Sequence, residues 1–271
     1  MKKLKTKPTK KPMKKLLLLG GTADARHMTK ALMEMSAAEN QPLTIIYSIA
    51  GLVRVPELPC EVIVGGFTQF GGLAAYIRDQ QIDGILDVTH PFAQTMSTTA
   101  VSVARELAIP CWRFHRQAWQ PQAGDRWQLF DRWSSLIPAL KDKRSVLLTA
   151  GQLTQVSLDQ LVAQAQQVPG GQRLILRTAA PSRVELPASV EWIKGVGPFR
   201  LEDEKELFQR CAVDALVTKN SGGKSTEAKL HAARQQGVEV FMLQRPALPD
   251  ADQQFSDIHE GVAVIQRWLN A

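Results

Sequence analysis

The stretch LLLLGGTADARHM, residues 16–28, constrains the fold of this chain more than any other. Four leucines without polar alternation read as a strand buried on both faces, which implies a parallel sheet covered by helices. Two glycines and a threonine then turn the chain into a segment of helical composition. A strand, a glycine turn and a helix start are the parts of a nucleotide-binding βα unit. The glycines admit close approach of a ligand, and the N–H groups that open a helix favour an anion. The GxGxxG spacing is not met, because the register runs Gly20, Gly21, Thr22, Ala23, Asp24, Ala25, Arg26. Two glycines serve turn geometry as readily as they serve a phosphate.

The same rhythm continues along the chain. Strand patterns fall at 15–19, 43–49, 61–64, 84–88 and 110–114, with helical patterns at 23–35, 72–80 and 92–107. The polar stretch RQAWQPQAGDRW, residues 116–127, breaks the alternation. A second series follows, with strands at 145–149, 173–177, 215–218 and 238–243 and helices at 158–166, 201–211, 226–236 and 258–269. The expected architecture is α/β, with two Rossmann-like doubly wound domains, parallel sheets and a cleft between them for substrate. The expected boundaries are a basic tail at 1–13, a nucleotide-binding domain at 14–128 and a substrate domain at 129–271. At 271 residues the chain is long enough for both.

The formal charge of +7 invites a nucleic-acid reading, so its location matters. Eight of the 33 basic residues lie within the first fifteen positions; the other 25 face 26 acidic residues, a net of −1. The basicity therefore belongs to a tail, MKKLKTKPTKKPMKK, whose composition predicts disorder. The near-neutral body argues against a nucleic-acid face. LLLL is too short for a secretory h-region, and no apolar run approaches the roughly 20 residues that span a bilayer. Cys60, Cys111 and Cys211 are odd in number and far apart, which fits ordinary buried thiols in a reducing cytoplasm.

Each strand end carries distinctive chemistry. The second closes on Ser48 within YSIAGLVR, where a dinucleotide fold has an acid for the ribose 2′-hydroxyl. No acid is near, and Arg54 follows, which leans towards a 2′-phosphate; a solvated loop arginine is the alternative. VGGFTQFGG places Gly65, Gly66, Gly71 and Gly72 within eight residues, for ligand approach or for positive φ values. Thr89 and His90 end the fourth strand in DVTHPF, at the sheet edge where such folds bind ligands. In the second half, Lys219, Asn220, Ser221, Gly222 and Gly223 make a polar glycine turn with the character of a phosphate or carboxylate cradle, without Walker spacing. Arg245 ends the next strand.

Taken in order, these loops resemble the precorrin-6A reductase family of cobalamin biosynthesis. The match is carried by Gly20-Gly21-Thr22 with Ala25-Arg26, Ser48-x-Ala50-Gly51, Gly65-Gly66-Phe67, Gly71-Gly72-Leu73 and Asp87-x-Thr89-His90-Pro91-Phe92-Ala93. It continues in Trp112-Arg113 with Arg116 and Trp119, in Thr218-Lys219-Asn220-Ser221-Gly222-Gly223 and in Arg245-Pro246. One departure is RQAW, residues 116–119, where the family usually carries RPxW. The resemblance implies hydride transfer from NADPH or NADH to a ring-contracted tetrapyrrole, precorrin-6A or its cobalt form. It implies a cofactor set of Gly20, Gly21, Thr22, Ala23, Arg26, Ser48, Gly51, Gly65, Gly66, Thr89 and His90. Substrate carboxylates would meet Arg113, Arg116, Lys219, Asn220, Ser221, Gly222, Gly223 and Arg245. His90 is a possible proton donor, with water or the substrate's own groups as alternatives. No metal is expected.

Two other readings compete. A reductase of small carbonyl compounds would show a Tyr-x-x-x-Lys pair, yet neither Tyr47 nor Tyr76 has a lysine four residues on. A non-catalytic nucleotide sensor would use the same glycine turn. Because Met13 opens KKLLLLGGT, a chain beginning there is expected to keep its activity. By urea denaturation it should lose no more than about 1–2 kcal/mol of stability, the effect of an ordinary damaging point mutation.

Overall fold

A computed structural model describes residues 13–50 and 55–271. The basic tail before Met13, Gly51 and Arg54 lie outside them. The chain forms two compact units. The first joins the residues up to Arg116 with Leu248–Ala271, and the second is Gln117–Ala247.

The first unit contains β1 (Lys14–Leu19), α1 (Ala23–Ala38), β2 (Leu43–Ile49), β3 (Glu61–Val64), α2 (Leu73–Gln80), β4 (Gly84–Asp87), α3 (Gln94–Leu107) and β5 (Cys111–Phe114). The second contains β6 (Trp127–Phe130), α4 (Trp133–Ala139), β7 (Ser145–Leu148), α5 (Gln155–Gln167), β8 (Arg173–Thr178) and β9 (Val190–Lys194). It continues with α6 (Leu201–Arg210), β10 (Ala215–Lys219), α7 (Ala228–Gln236) and β11 (Glu239–Leu243). The chain then returns to the first unit through β12 (Gln253–Phe255) and α8 (Ile258–Asn270).

Each unit holds one six-stranded sheet, in the orders β12-β5-β4-β1-β2-β3 and β6-β11-β10-β7-β8-β9. Every pairing is parallel. The strand order reverses at β1/β4 and again at β7/β10. These switch points are where doubly wound sheets open a crevice at the carboxyl ends of their strands.

The four leucines divide by parity. Leu16 and Leu18 join Met28, Leu32, Tyr47, Phe255 and Ile265 on one face. Leu17 and Leu19 join Ile46, Ile77, Ile85, Val101 and Ala104 on the other. In the second unit Leu147, Ile175, Phe208, Leu216, Leu230 and Met242 share a core. Helix starts carry their own stops: Thr22 accepts from Ala25 N, Thr154 from Ser157 N, and Asp257 from His259 N and Glu260 N.

Three features differ from the sequence reading. β6, which straddles the expected boundary at 128/129, belongs wholly to the second sheet. The helix at 258–269, expected in the second domain, packs on the first; β12 pairs with β5 there. β9 was not expected at all. β6, β9 and β12 are largely exposed edge strands whose apolar residues are interrupted or preceded by polar ones, so they lack the unbroken apolar run that marks the central strands. Among the described residues, no helix is long and apolar enough to cross a membrane.

Because α8 covers β1 and α1, truncating its buried Ile265 should destabilise the first unit. Ile265→Ala is expected to lose roughly 2–5 kcal/mol in chemical denaturation.

Candidate functional site

In the first unit, backbone hydrogen bonds stitch the strand ends together. Gly20 N donates to Ser48 O at 2.8 Å, Gly65 N to Ile49 O at 2.9 Å, and Thr22 Oγ1 to Val88 O at 3.0 Å. The end of β2 and the turns after β1, β3 and β4 therefore form one continuous edge, and Gly20, Gly21, Thr22, Ser48, Gly65, Gly66 and Thr89 lie along it.

Two different needs explain the opening glycines. A Cβ on Gly20 would collide with the Tyr47 ring, which lies beneath the turn. The Tyr47 hydroxyl accepts from Gly21 N at 3.1 Å, while burial pushes its own pKa up. Gly21 has φ +101°, and a Cβ there would meet nothing within 4 Å. One glycine serves the protein's own packing; the other faces open space where α1 begins at Ala23. Arg26 Nη1 donates to Thr22 O at 3.3 Å. Arg116 Nη1 stands 3.0 Å from Asp24 Oδ2, a charge contact without hydrogen-bond alignment. Burial pushes the Arg116 guanidinium down, and Asp24 opposes that shift. The structure thus groups Arg116 with the glycine turn.

Gly65, Gly71 and Gly72 all have positive φ, so the second glycine cluster is needed for backbone geometry. Gly66 precedes a short 3₁₀ turn at Phe67–Phe70, and both phenylalanines pack against Tyr76. His90 is exposed, and its Nδ1 accepts from Phe92 N at 3.2 Å. That bond assigns the proton of the neutral imidazole to Nε2.

Arg113 departs from the expected role. It is 3% exposed and holds Asp87 Oδ2 at 3.1 Å, Pro249 O at 2.8 Å and Ser97 O at 3.5 Å. With its donors committed inside the fold, it is not offered to substrate carboxylates.

In the second unit, the loop after β10 is shaped from within. The Asn220 side chain accepts from Trp119 N at 2.8 Å and donates to Trp119 O at 3.0 Å. Gly222, at φ +67°, lies so close to Gln117 O that a Cβ has no room. Arg245 donates to Asn220 O, Ser221 O and Gln117 O at 2.9–3.2 Å. Asn220, Gly222 and Arg245 therefore shape the loop from within. Lys219, half-buried at the end of β10, has its ammonium pushed down by burial. Ser221 is buried beside it, and Gly223 caps a 3₁₀ turn.

A buried cluster behind this loop had no sequence signal. Arg177 Nη1 donates to Glu204 Oε1 at 2.7 Å, and the two side chains are 6% and 1% exposed. The Arg177 guanidinium lies 4.3 Å from the Phe199 ring centroid, and Lys229 Nζ lies 5.5 Å from that of Trp119. Trp119 Nε1 and Glu204 Oε2 have no hydrogen-bond partner among the described residues. Burial, then Arg177, pushes the Lys229 ammonium down to about 7, with Glu204 opposing. Helical spacing on α7 gave no hint, because lysine normally marks a solvated face.

No three His, Cys, Asp or Glu side chains among the described residues could hold a metal. Burial first, then nearby carboxylates, pushes the Cys60 thiol up to about 11 and Cys111 up to about 12, so neither is a nucleophile at neutral pH.

The chain matches the family model "Precorrin-6x reductase CbiJ/CobK" over residues 15–266. It is 35% identical to the precorrin-6A reductase of Rhodococcus erythropolis over 256 residues, covering 93% of this chain and 97% of that one. It is 27% identical to the cobalt-precorrin-6A reductase of Priestia megaterium, covering 86% and 91%. A solved structure titled "CobK precorrin-6A reductase" superposes with a TM-score of 0.80 at 31% identity, covering 96% of this chain and 98% of that one.

The Lys229 ammonium sets a pH test. Unfolded, the lysine keeps its proton to the ordinary 10.5; folded, it loses it near 7. Between these values the unfolded chain holds more protons, so this group makes stability rise with pH above about 7. The slope is at most about 1.4 kcal/mol per pH unit. Lys229→Met should flatten that rise and raise stability at pH 7, as read by urea midpoints from pH 7 to 9.5.

Proposed function

Because the chain belongs to the precorrin-6x reductase family, oxidoreductases of cobalamin biosynthesis, we propose its reaction as follows. It reduces the macrocycle of precorrin-6A, or of the cobalt form, to the corresponding precorrin-6B with NAD(P)H. The observation that carries this reading is the continuous edge at the β1/β4 switch point, where Gly21 opens onto free space at the start of α1. A dinucleotide phosphate would sit there.

Gly20, Gly21, Thr22 and Ala23 would hold the pyrophosphate, and Arg26 would add positive charge. Gly65, Gly66, Thr89 and His90 would border the remaining nucleotide. The nicotinamide supplies the hydride; the chain's own residues align donor and acceptor and exclude water. His90, exposed just beyond β4, would hand the proton to the macrocycle from its protonated, imidazolium form. Lys219, Ser221 and the 222–223 backbone would grip substrate carboxylates. Asn220 and Arg245 hold that loop in shape.

NADPH is the favoured donor in this reading. Ser48 is buried within β2 and Ala50 is exposed just beyond it, and neither is acidic. A carboxylate there would repel a 2′-phosphate. Free cysteines support a reducing compartment, the cytoplasm.

Mixing the protein with precorrin-6A and either nucleotide, followed by nicotinamide absorbance, tests the reading. NADPH should be consumed with one equivalent of macrocycle and bound at least as tightly as NADH. Lys219→Ala should weaken tetrapyrrole binding by about 1.5–3 kcal/mol and leave the NADPH affinity unchanged. Failure of both nucleotides to react would overturn the assignment.

A further inference from the structure

We propose that Arg113 is a positioning residue for the reductase reaction: acting through Asp87, it fixes the Thr89–His90 turn and ties that turn to the segment returning at Pro249. This rests on the reading that the turn borders the reacting groups.

A continuous chain of contacts carries the inference. Asp87 ends β4 and lies opposite Arg113 of β5 in the sheet register. It is 1% exposed and uses both carboxylate oxygens. Oδ2 accepts from Arg113 Nε at 3.1 Å, while Oδ1 accepts from Thr89 N at 3.1 Å and Thr89 Oγ1 at 2.7 Å. The two Thr89 bonds make an Asp-centred turn that directs the chain off the strand. His90 follows at once, and its ring nitrogen closes on Phe92 N.

Arg113 also reaches Ser97 O in the first turn of α3, and Ser97 Oγ lies 3.2 Å from Thr89 Oγ1. Its third direction is Pro249 O, on the segment leading to β12. One planar guanidinium thus joins the end of β4, the start of α3 and the returning chain. A point-charge ammonium cannot span the same three partners. An apolar pair would fill the space, but it would leave Thr89 N–H and its hydroxyl without their shared acceptor. The pair therefore specifies the direction in which His90 leaves the sheet.

The test uses the full chain and two variants, Arg113→Lys and Thr89→Val. The second leaves the buried ion pair in place, so the proposal stays falsifiable if the first does not fold. The His90 imidazole cross-peak is assigned in a ¹³C–¹H spectrum by its loss in His90→Gln. In both variants it should move, while the peaks of His27, His231 and His259 stay. With NADPH and precorrin-6A, kcat should fall by about ten- to a hundredfold, with a smaller change in NADPH affinity. That loss should largely disappear when Arg113→Lys is made in the His90→Gln background. A folded Arg113→Lys and Thr89→Val with an unmoved His90 peak would overturn the proposal, as would losses fully additive with His90→Gln. A moved His90 peak in a protein without reductase turnover would uphold the positioning and sink the functional reading instead.

Discussion

Leu16 and Leu18 press against α1 and α8 while Leu17 and Leu19 press against the α2 and α3 side, and the first unit is organised around that demand. A strand buried on both faces needs helices on both faces, and parallel crossovers supply them. The strand must also end at the middle of the sheet, because β2 and β4 flank it on opposite sides. The glycine turn inherits this address. Tyr47 then settles its details: the ring excludes any side chain at Gly20, and the hydroxyl receives the Gly21 N–H. The open side left at Gly21 is a consequence of packing below it.

Buried polar groups in both units lie behind the loops assigned to ligands. Asp87 and Arg113 support the Thr89–His90 turn. Arg177, Glu204 and Lys229 lie behind Trp119, whose backbone is clamped by Asn220 of the 219–223 loop. Removing one partner of such a buried pair strands the other charge, which costs about 3–5 kcal/mol. Apolar replacements would avoid that exposure to loss, so retaining the charges is consistent with fixing the direction of a loop.

Central strands and their following turns were legible because burial on both faces leaves an unbroken apolar run. LTIIYSI was bounded correctly for that reason, and the edge strand EVIV by its run of β-branched residues. WQLF and QQF have no such run, and the backbone hydrogen bonds that hold them leave no side-chain pattern. The domain boundary failed for the same cause: the polar stretch at 116–127 contains the change of unit, but nothing local says that 248–271 goes back. Candidate site residues could be named by address, at strand ends, while the contacts that occupy some of them within the fold could not. Arg113 and Arg245 read as cations for an anion, yet their donors are committed to carboxylate or carbonyl oxygens within the fold. Lys229 was invisible because solvated lysines have the same local sequence.

The two sheets fill their sixth position differently. The second takes β6, made just before its remaining strands, so all of its parts lie within Gln117–Ala247. The first takes β12, and its covering helix α8, like β12, follows the whole second unit in the chain. During vectorial synthesis the first unit is therefore completed only after the second has been made. Its nascent sheet waits with the Phe114 edge unpaired and the Met28 face uncovered while the whole second unit emerges. A chaperone that binds exposed apolar surface would meet its client in that interval, on residues the finished protein hides.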